Sequence, residues 1–500
     1  MRFLAWLLAA SLACVPRAFA QDTALPRFSR SEPQLDLAPR AAPLPDLGEA
    51  SGADLSLQDE RRIGESVMQE IRRDPDYLDD PEVAALINGI GAQLAAAVPG
   101  LRQDFEFFVI RDSSINAFAL PGGFIGVHTG LIAASETESE IASVLAHEMG
   151  HVMQRHIARQ MGIQKRMQTP MMIAMAAALL LARSRPDLAG GSMMAVQGGA
   201  IQSQLAYSRE FEQEADRVGF QTLAASGYDT RAMATFFQKL LRNDTGSVPV
   251  YLRTHPVTTE RVAEAQDRAA HTPYRQHVDS LEYHLVRAKV RAEAGDPYDA
   301  VKLFTEAMND RRFASEPGAR YGLAVALLRV KEPKRAEAEV ARLRADKVAS
   351  PMIETLAARV RIALRDQAGA LAILKAAQAR YPYFRSILYS MLGMLNDLGQ
   401  FDDMLSALAE PLRLYPRDPK LKEAQAKAYA GLGKRFLQHQ SLAEFYVLQG
   451  SLPAAIDQLE FAQSSGDGNF YELSVVDARL KALRAELARE TQDKKNDKLR

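Results

Sequence analysis

Hydrophobic positions between residues 57 and 97 recur every four residues, the spacing of one face of an α-helix. They are Ile63, Val67 and Ile71, followed by Leu86, Ile90 and Leu94. From residue 104 to residue 112 the pattern changes to the alternation of a β-strand, with Phe105, Phe107 and Val109 on one side. Two further extended segments, 117–120 and 124–128, flank the turn Pro121-Gly122-Gly123. Beyond them the pattern is helical, so we predict an α+β domain followed by an all-α domain.

From about residue 280 the helical pattern gains a period of 34 to 36 residues. A turn residue is followed four positions later by a small or apolar residue, at Asp296 and Ala300, Glu332 and Ala336, Asp366 and Ala370, and Gln400 and Met404. This period with paired helices is typical of the tetratricopeptide repeat, whose helix pairs stack into a superhelix. The next similar segment runs from Phe445 to Ala462, and its marker Ala455 lies 51 residues beyond Met404, which predicts one degenerate helix pair. A helical bundle with accidental spacing is the alternative.

The first twenty residues have the layout of a secretory signal peptide. Arg2 precedes an apolar run from Phe3 to Val15, and Ala18-Phe19-Ala20 matches a small-x-small cleavage site. The run is shorter than the ~20 residues of a membrane span, which disfavours a membrane anchor. A lipoprotein signal ending at Cys14 is the other alternative. Such a signal would direct the chain to a bacterial periplasm and be removed after Ala20.

The remaining boundaries follow from composition. Residues 21–54 hold five prolines and no sustained apolar period, which predicts a Pro-rich disordered arm. We place the α+β domain at 55–275, the repeats at 280–488 and a charged tail at 489–500. The apolar segment Met171 to Leu181 would form about 16 Å of helix, half of a bilayer core. It is either a buried helix or an adaptable surface that makes a peripheral contact with membrane or client chains.

Charge and cysteine content exclude several functions. The chain has 61 Lys and Arg against 62 Asp and Glu, a net charge of −1, so we expect no nucleic-acid partner. Its single cysteine excludes an intramolecular disulfide and a Cys-based zinc site.

The candidate chemistry begins at an HExxH pattern, His147-Glu148-Met149-Gly150-His151, on a predicted helix. His147 and His151 are four residues apart, so both imidazoles leave one face and can bind one Zn²⁺. Glu148, beside the first ligand, can take a proton from an attacking water.

The flanks of this motif are assigned to structure rather than to chemistry. Ser135 and Glu138 are predicted to form a capping box at the start of the helix. His156, five residues after His151, falls off the metal-binding face, and we expect it to be solvated.

A catalytic zinc site needs a third protein ligand and one open position. The candidate segment runs from Ser208 to Asp216 on a second predicted helix, 201–226. Glu212 and Asp216 are four residues apart, so Glu212 could bind zinc while Asp216 reaches a ring N–H of a ligand histidine. Glu210 and Glu214 point to other faces and are assigned to the surface. The alternative is an acidic, solvated face.

HExxH followed by SRxxExxAD resembles the gluzincin metallopeptidases of the CAAX prenyl protease and HtpX family. The resemblance implies an α+β zincin-like metalloprotease domain followed by an all-α tetratricopeptide-repeat superhelix, with one Zn²⁺ per chain. It implies that His147, His151 and Glu212 bind the zinc ion and that Glu148 is the general base. Asp216 matches the aspartate that orients a zinc ligand in that family.

Two further elements are carried over from the same resemblance. Asn116, Ala117 and Phe118, with the turn that follows, resemble the family's substrate strand, to which a peptide could add by β-augmentation. His255 and Arg261 match an HPxxxxR element at the family's active site. Either residue would stabilise the oxyanion, or His255 would occupy the open zinc position in a resting state. These alternatives stay open.

An export signal, this catalytic domain and C-terminal repeats together resemble periplasmic proteases of outer-membrane quality control. The resemblance implies a location in the periplasm, associated with the inner face of the outer membrane. It implies unfolded or misassembled β-barrel proteins as substrates, a chaperone-like role, and the β-barrel assembly machinery as a partner of the repeats. The alternative is a repeat-based adaptor with a silent metal site.

Overall fold

The computed structural model describes residues 55–101, 103–163, 209–242 and 250–499. They all fall within one compact unit, Leu47–Arg500. The predicted signal peptide, the Pro-rich arm and the segment 171–181 lie outside the described residues. Across the described ranges, no helix combines the length and the apolar character needed to cross a bilayer.

The first part of the chain is an α+β domain. Its elements are α1 (Leu57–Ile71), α2 (Pro81–Ala96), β1 (Glu106–Ile110), β2 (Ala117–Leu120), β3 (Phe124–His128), α3 (Thr129–Ala134), α4 (Glu138–Met153), α5 (His156–Ile163), α6 (Arg209–Ser226), α7 (Arg231–Leu241), α8 (Val250–Thr254) and α9 (Thr259–Ala270). The HExxH pattern lies on α4, and the described part of the second predicted motif helix is α6.

The three strands form one sheet in the order β1-β3-β2. β1 runs parallel to β3, and β2 pairs antiparallel with β3 at the edge. Both sides of β1 are covered: Phe108 and Ile110 pack with α1, while Phe107 and Val109 belong to the core that includes α2. The predicted strand is therefore present. Both faces of the strand are covered, because residues of α1 and of α2 pack on opposite sides of it.

Helices α4 and α6 pack closely against each other, and glycine permits it. A Cβ on Gly150 would lie 2.9 Å from the carbonyl oxygen of Ala215, and a Cβ on Gly219 would lie 2.9 Å from the amide nitrogen of His147. A larger residue at either position would push the helices apart. The two glycines thus hold the two motif helices in contact.

The second part of the chain consists of helical hairpins. Its helices are α10 (Leu281–Glu293), α11 (Pro297–Asn309), α12 (Glu316–Arg329), α13 (Pro333–Ala345), α14 (Pro351–Ala363), α15 (Gln367–Arg380), α16 (Arg385–Asp397), α17 (Phe401–Leu414), α18 (Pro419–Gly431), α19 (Arg435–Leu448), α20 (Leu452–Ser464) and α21 (Phe470–Leu499). α21 continues as helix through most of the predicted charged tail.

The repeat markers coincide with helix starts. The turn residues Asp296, Glu332, Asp366 and Gln400 are the N-caps of α11, α13, α15 and α17. The small or apolar residues four positions later are all buried. The prediction of a degenerate helix pair between Met404 and Ala455 was wrong, because α19 begins after Lys434, 34 residues beyond Gln400. The sequence pattern misses this repeat because the position four residues after Lys434 is Gln438 rather than a small or apolar residue.

The start of α2 is clamped by the hairpins. Lys289 on α10 places Nζ 2.7 Å from Oε2 of Glu82 and also pairs with Asp80. Oε1 of Glu82 accepts hydrogen bonds from Thr355 on α14 at 2.6 Å and from Ser386 on α16 at 3.2 Å. Three helices of the second part therefore hold one end of a helix that packs against β1.

Candidate active site

Helix α4 is capped by Thr137 and by the two residues that precede α10. Thr137 is the N-cap and accepts a hydrogen bond from the Glu140 amide. The predicted Ser135 and Glu138 capping box was therefore placed two residues early. Glu138 instead accepts a hydrogen bond from the Ser280 amide at 2.7 Å, and its own amide donates to Asp279 at 2.9 Å.

Four side chains converge at the middle of α4: His147 and His151, with Glu212 from α6 and His255 from the segment after α8. Nε2 of His147 lies 3.0 Å from Nε2 of His151 and 3.5 Å from Oε2 of Glu212. Nδ1 of His255 lies 3.0 Å from Oε1 of Glu212 and 3.4 Å from Nε2 of His147. Each of the four residues is only 1% exposed.

This donor set fits a zinc ion. Tetrahedral zinc bonds of about 2.0–2.2 Å place the donor atoms of two ligands roughly 3.3–3.6 Å apart. The donor distances of 3.0 to 3.5 Å are close to that range. Imidazole and carboxylate are zinc ligands, and the structure brings them together in a buried place. His147, His151 and Glu212 would hold the ion.

The site is built to hold positive charge. Burial lowers the pKa of His147, but its hydrogen bonds to Asp216 and Glu212 outweigh burial and raise the pKa to about 10. Burial raises the pKa of Glu212, yet the surrounding histidines hold it well below its usual range. For His151, burial prevails and lowers the pKa well below the ordinary value. Carboxylates that stay ionised beside a neutral imidazole suit a metal cation.

Asp216 and Arg261 form a chain behind His147. Oδ1 of Asp216 lies 2.9 Å from Nδ1 of His147. Arg261 donates to both carboxylate oxygens of Asp216, at 2.6 and 2.8 Å, and to the Pro256 carbonyl at 2.7 Å. Its Nη1 is also 2.7 Å from Oε2 of Glu212. Arg261 is thus fully engaged by carboxylates that face the donor set.

Glu148 stands beside the donor set rather than in it. Its side chain is fully buried, and among the described residues no side chain makes a hydrogen bond to its carboxylate oxygens. Oε1 lies 3.6 Å from Nε2 of His255. Burial raises the pKa of Glu148, an effect that His255, His147 and the backbone amide of Ala119 partly offset. A buried carboxylate that no side chain holds by a hydrogen bond suits a group that exchanges a proton with a water.

The segment predicted to bind substrate is the edge strand β2. The His128 amide donates to the Asn116 carbonyl, and pairing alternates along an antiparallel ladder. The backbone groups of Phe118 therefore face β3, whereas those of Ala117 and Ala119 face outwards. Among the described residues, no strand pairs with this outer edge. β2 also packs against α4, so the free edge runs beside the HExxH helix.

His156 and Glu214 were wrongly assigned to the surface. His156 is completely buried, with Nδ1 2.9 Å from Nδ1 of His151 and Nε2 3.1 Å from Oε2 of Glu214. The helical spacing fails because α4 ends at Met153, and Arg155 then adopts a left-handed backbone with φ of 53°. The chain therefore turns back, and His156 contacts Nδ1 of His151, on the side of that ring away from Glu212.

Tyr251 was missed from the sequence. Its ring is fully buried and stacks on His255, with centroids 4.7 Å apart and planes 24° apart. The sequence spacing could have indicated this contact, because Tyr251 lies four residues before His255 and would share a helix face with it. The backbone carbonyl of Tyr251 accepts a hydrogen bond from the His255 amide at 2.8 Å. Tyr251 thus fixes both the ring plane and the backbone of His255.

Comparison with known proteins assigns the α+β part. Residues 79–269 match the model of Peptidase family M48. A protein of Yersinia pestis called beta-barrel assembly-enhancing protease is 29% identical over 444 residues, which cover 88% of this chain and 91% of that protein. The protein of that name from Escherichia coli K12 is also 29% identical, over 88% of this chain and 91% of its own length.

A Vibrio cholerae relative, to which the same name is given provisionally, is 32% identical over 298 residues. This match covers 59% of this chain, and the chain spans just under two thirds, 62%, of that protein. The predicted resemblance is thus confirmed. The protein is a zinc metalloendopeptidase in which residues 79–269 are similar to Peptidase family M48, and a largely helical C-terminal region follows them.

Proposed function

We propose that this zinc metalloendopeptidase is exported to the periplasm and degrades unfolded or misassembled outer-membrane β-barrel proteins at the inner face of the outer membrane. The observation that carries the proteolytic part is the buried group of His147, His151 and Glu212 with Glu148 at its side. The names of the relatives that align with most of the chain support the substrate class.

In this proposal the residues of the site have separate tasks. His147, His151 and Glu212 hold zinc, which when bound polarises the scissile carbonyl and makes water more acidic. Glu148 takes the proton of the attacking water and returns it to the leaving amine. Asp216 accepts a hydrogen bond from Nδ1 of His147 and so fixes the tautomer that leaves Nε2 free for the ion.

His255 and Arg261 take different positions in the proposal. Arg261 is a positioning residue, because its hydrogen bonds are used by Asp216 and Glu212. His255 places Nδ1 within the donor set, which favours the resting-state hypothesis. A fourth protein ligand would close the position that a reacting carbonyl or water needs. His255 must then swing away before cleavage.

The substrate would bind as an added strand. The outward backbone groups of Ala117 and Ala119 offer donors and acceptors to an extended peptide. Because β2 packs against α4, a peptide on this edge passes close to Glu148. Such binding requires an extended chain, which an unfolded β-barrel protein provides and a folded one does not.

The C-terminal hairpins are proposed as a tetratricopeptide-repeat superhelix that contacts the β-barrel assembly machinery and gives the protein a chaperone-like role. The support is the regular spacing of their N-caps. The N-terminal turn of α2 lies against α10, α14 and α16. These faces of α10, α14 and α16 are occupied by contacts within the protein. A partner would therefore bind the hairpins that follow α16.

The test is a substrate trap. Glu148→Gln, expressed in the native bacterium and isolated with its bound proteins, should retain zinc and accumulate outer-membrane β-barrel proteins. Glu210→Gln, an exposed change on α6, is the matched control and should accumulate none. Trapped proteins from other classes would overturn the substrate assignment. Cleavage of an unfolded protein by purified Glu148→Gln at the unsubstituted rate would overturn the mechanism, whereas no cleavage by the unsubstituted, zinc-loaded protein would favour the adaptor alternative.

A further inference from the structure

A hydrogen-bonded chain extends from the rear of His151, on the side away from the donor set. Nδ1 of His151 lies 2.9 Å from Nδ1 of His156. Nε2 of His156 lies 3.1 Å from Oε2 of Glu214, and the same oxygen accepts a hydrogen bond from Arg159 at 2.8 Å. His156 is 0% exposed, although it is absent from the mechanism above.

The direction of this chain is fixed by its first member. Nε2 of His151 faces the other donor atoms, and a nitrogen that binds a metal carries no proton. The proton of a neutral imidazole is then on Nδ1, which donates to Nδ1 of His156. His156 must accept there, so its own proton is on Nε2 and is donated to Glu214. Each nitrogen has one role, and no second arrangement satisfies all four.

The ring of His156 is held in one plane. It stacks on Phe211 with centroids 4.4 Å apart and planes 6° apart. The guanidinium of Arg159 lies 4.5 Å from the same Phe211 ring while it binds Glu214. Stacking sets the tilt of the imidazole, and Glu214 sets its rotation. Nδ1 of His156 is therefore aimed at His151 by contacts that do not involve the metal site.

We propose that His156, held by Glu214 and Arg159, is a positioning residue that fixes the tautomer and ring orientation of His151. The proposal rests on the ligand role of His151 in the proposed function. It makes the two histidines of the HExxH motif unequal. Behind His147 stands a carboxylate, Asp216, whereas behind His151 an imidazole separates the ligand from its carboxylate. Partners of this kind are worth about 10–100-fold in metal affinity.

A merely structural role makes a different prediction. Loss of a buried hydrogen bond would lower the stability of the zinc-free protein and leave the zinc affinity of the folded protein unchanged. Loss of a positioning residue lowers the zinc affinity and disturbs the metal's coordination. The two roles are separated by measuring zinc binding and zinc-free unfolding on the same variants.

The test uses the full chain with His156→Phe, which keeps an aromatic ring against Phe211 but cannot accept a hydrogen bond. We expect its zinc affinity, measured by chelator competition, to fall by about 10–100-fold. The visible spectrum of the Co²⁺-substituted variant should shift. His156→Gln, whose amide oxygen can accept from Nδ1 of His151, should restore most of the affinity. His439→Phe removes a histidine hydrogen bond in the hairpins and should leave zinc affinity unchanged.

Unchanged zinc affinity and an unchanged cobalt spectrum in His156→Phe would overturn the proposal. Should that variant fail to fold, Glu214→Leu, which cannot accept from His156, decides in its place, with Glu210→Leu as its control on the same helix. Glu214→Leu should bind zinc several-fold more weakly than the control, and equal affinities would overturn the proposal. His151→Ala separates the two levels: retention of zinc there refutes the ligand role itself, whatever His156 does.

Discussion

Nδ1 of His255 lies 3.0 Å from Oε1 of Glu212, while Nε2 of the same ring lies 3.6 Å from Oε1 of Glu148. One imidazole thus stands between the carboxylate proposed to bind zinc and the carboxylate proposed to act as base. In the proposed mechanism a substrate carbonyl and a water would enter between these same two groups. His255 would then occupy the space that the reaction needs.

His255→Ala should leave unchanged or raise the cleavage of an unfolded protein, because the change empties that space. An oxyanion donor would behave in the opposite way, and its loss would lower kcat by about 10²–10³-fold. Initial rates with a fluorogenic unfolded substrate, at matched zinc content, distinguish the two. The control is His271→Ala at an exposed histidine beyond α9. A large loss of activity with zinc retained would refute an inhibitory role.

Glu148→Gln should lower kcat by about 10²–10⁴-fold, the range attributed to a general base. Its zinc content and far-UV circular dichroism should be unchanged, since the side chain is beside the donor atoms rather than among them. Steady-state kinetics and metal analysis of the same preparation provide the check. Loss of zinc together with activity would show instead that Glu148 supports the metal.

Glu212→Gln should sharply reduce bound zinc, whereas Glu210→Gln should not. Glu212 is buried among the histidines, and Glu210 lies on the exposed side of the same helix. Replacing an ionised carboxylate by an amide removes the negative charge that favours the cation. Metal analysis after dialysis gives the answer, and the reverse ranking would move the ligand role to Glu210.

Features that depend on one element were predictable from the sequence. The i, i+4 spacing of His147 and His151 is a property of one helix, and each repeat marker is one helix start. His156 was not predictable in this way. Its position depends on the left-handed backbone at Arg155, which Glu60 on α1 holds through a 2.8 Å hydrogen bond. A hydrophobic period along the chain cannot predict this turn, because the glutamate that stabilises it lies far away in the sequence.

The capping of α4 failed for a related reason. Ser135 has the side chain of an N-cap, but it ends α3, and Thr137 takes the role instead. Glu138 was expected to close the local box, yet its carboxylate is used by the Ser280 amide. A pattern search finds the residue types of a cap, whereas the partner 142 residues away decides which one is used.

Peptide binding to the edge of β2 predicts a two-residue period in the effect of N-methylation. Only alternate backbone amides of a bound strand face β2, so methylating those should lower kcat/KM, and methylating the amides between them should have little effect. Each lost hydrogen bond of about 0.5–1.5 kcal/mol corresponds to roughly 2–10-fold. A series of singly methylated substrates provides the measurement. A uniform effect at every position would contradict strand addition.

Lys289→Met should destabilise the protein through its effect on α2. Lys289 is the cation shared by Asp80 and Glu82, and Glu82 and Lys289 are almost completely buried. Removing it leaves carboxylates without a counter-charge, for which we expect a loss of about 3–5 kcal/mol in the free energy of unfolding. Lys302→Met, at an exposed lysine of α11, should change it by less than about 0.5 kcal/mol.

The pH dependence of this loss identifies its cause. Burial raises the pKa of Asp80, but Lys289 outweighs burial and holds the pKa below its ordinary value. Asp80 therefore adds stability above its unfolded pKa of 3.8, and this is lost as the pH falls through the folded value. In Lys289→Met, burial is no longer opposed by the lysine, so the pKa of Asp80 rises. Protonation of Asp80 as the pH falls then removes the cost of burying its charge. The stability gap between the two proteins should narrow towards pH 4.

Urea titrations of chelator-treated protein at pH 7 and pH 4 test this without interference from zinc. The rescue is Asp80→Asn and Glu82→Gln in the Lys289→Met background, which removes both stranded charges and should recover much of the loss. Asp80 and Glu82 lie at the start of α2, so their rescue would locate the effect at the clamp between the protease domain and the hairpins. If the stability difference is equal at both pH values and the Asp80→Asn and Glu82→Gln changes do not restore it, the loss is due instead to the packing of the aliphatic part of Lys289.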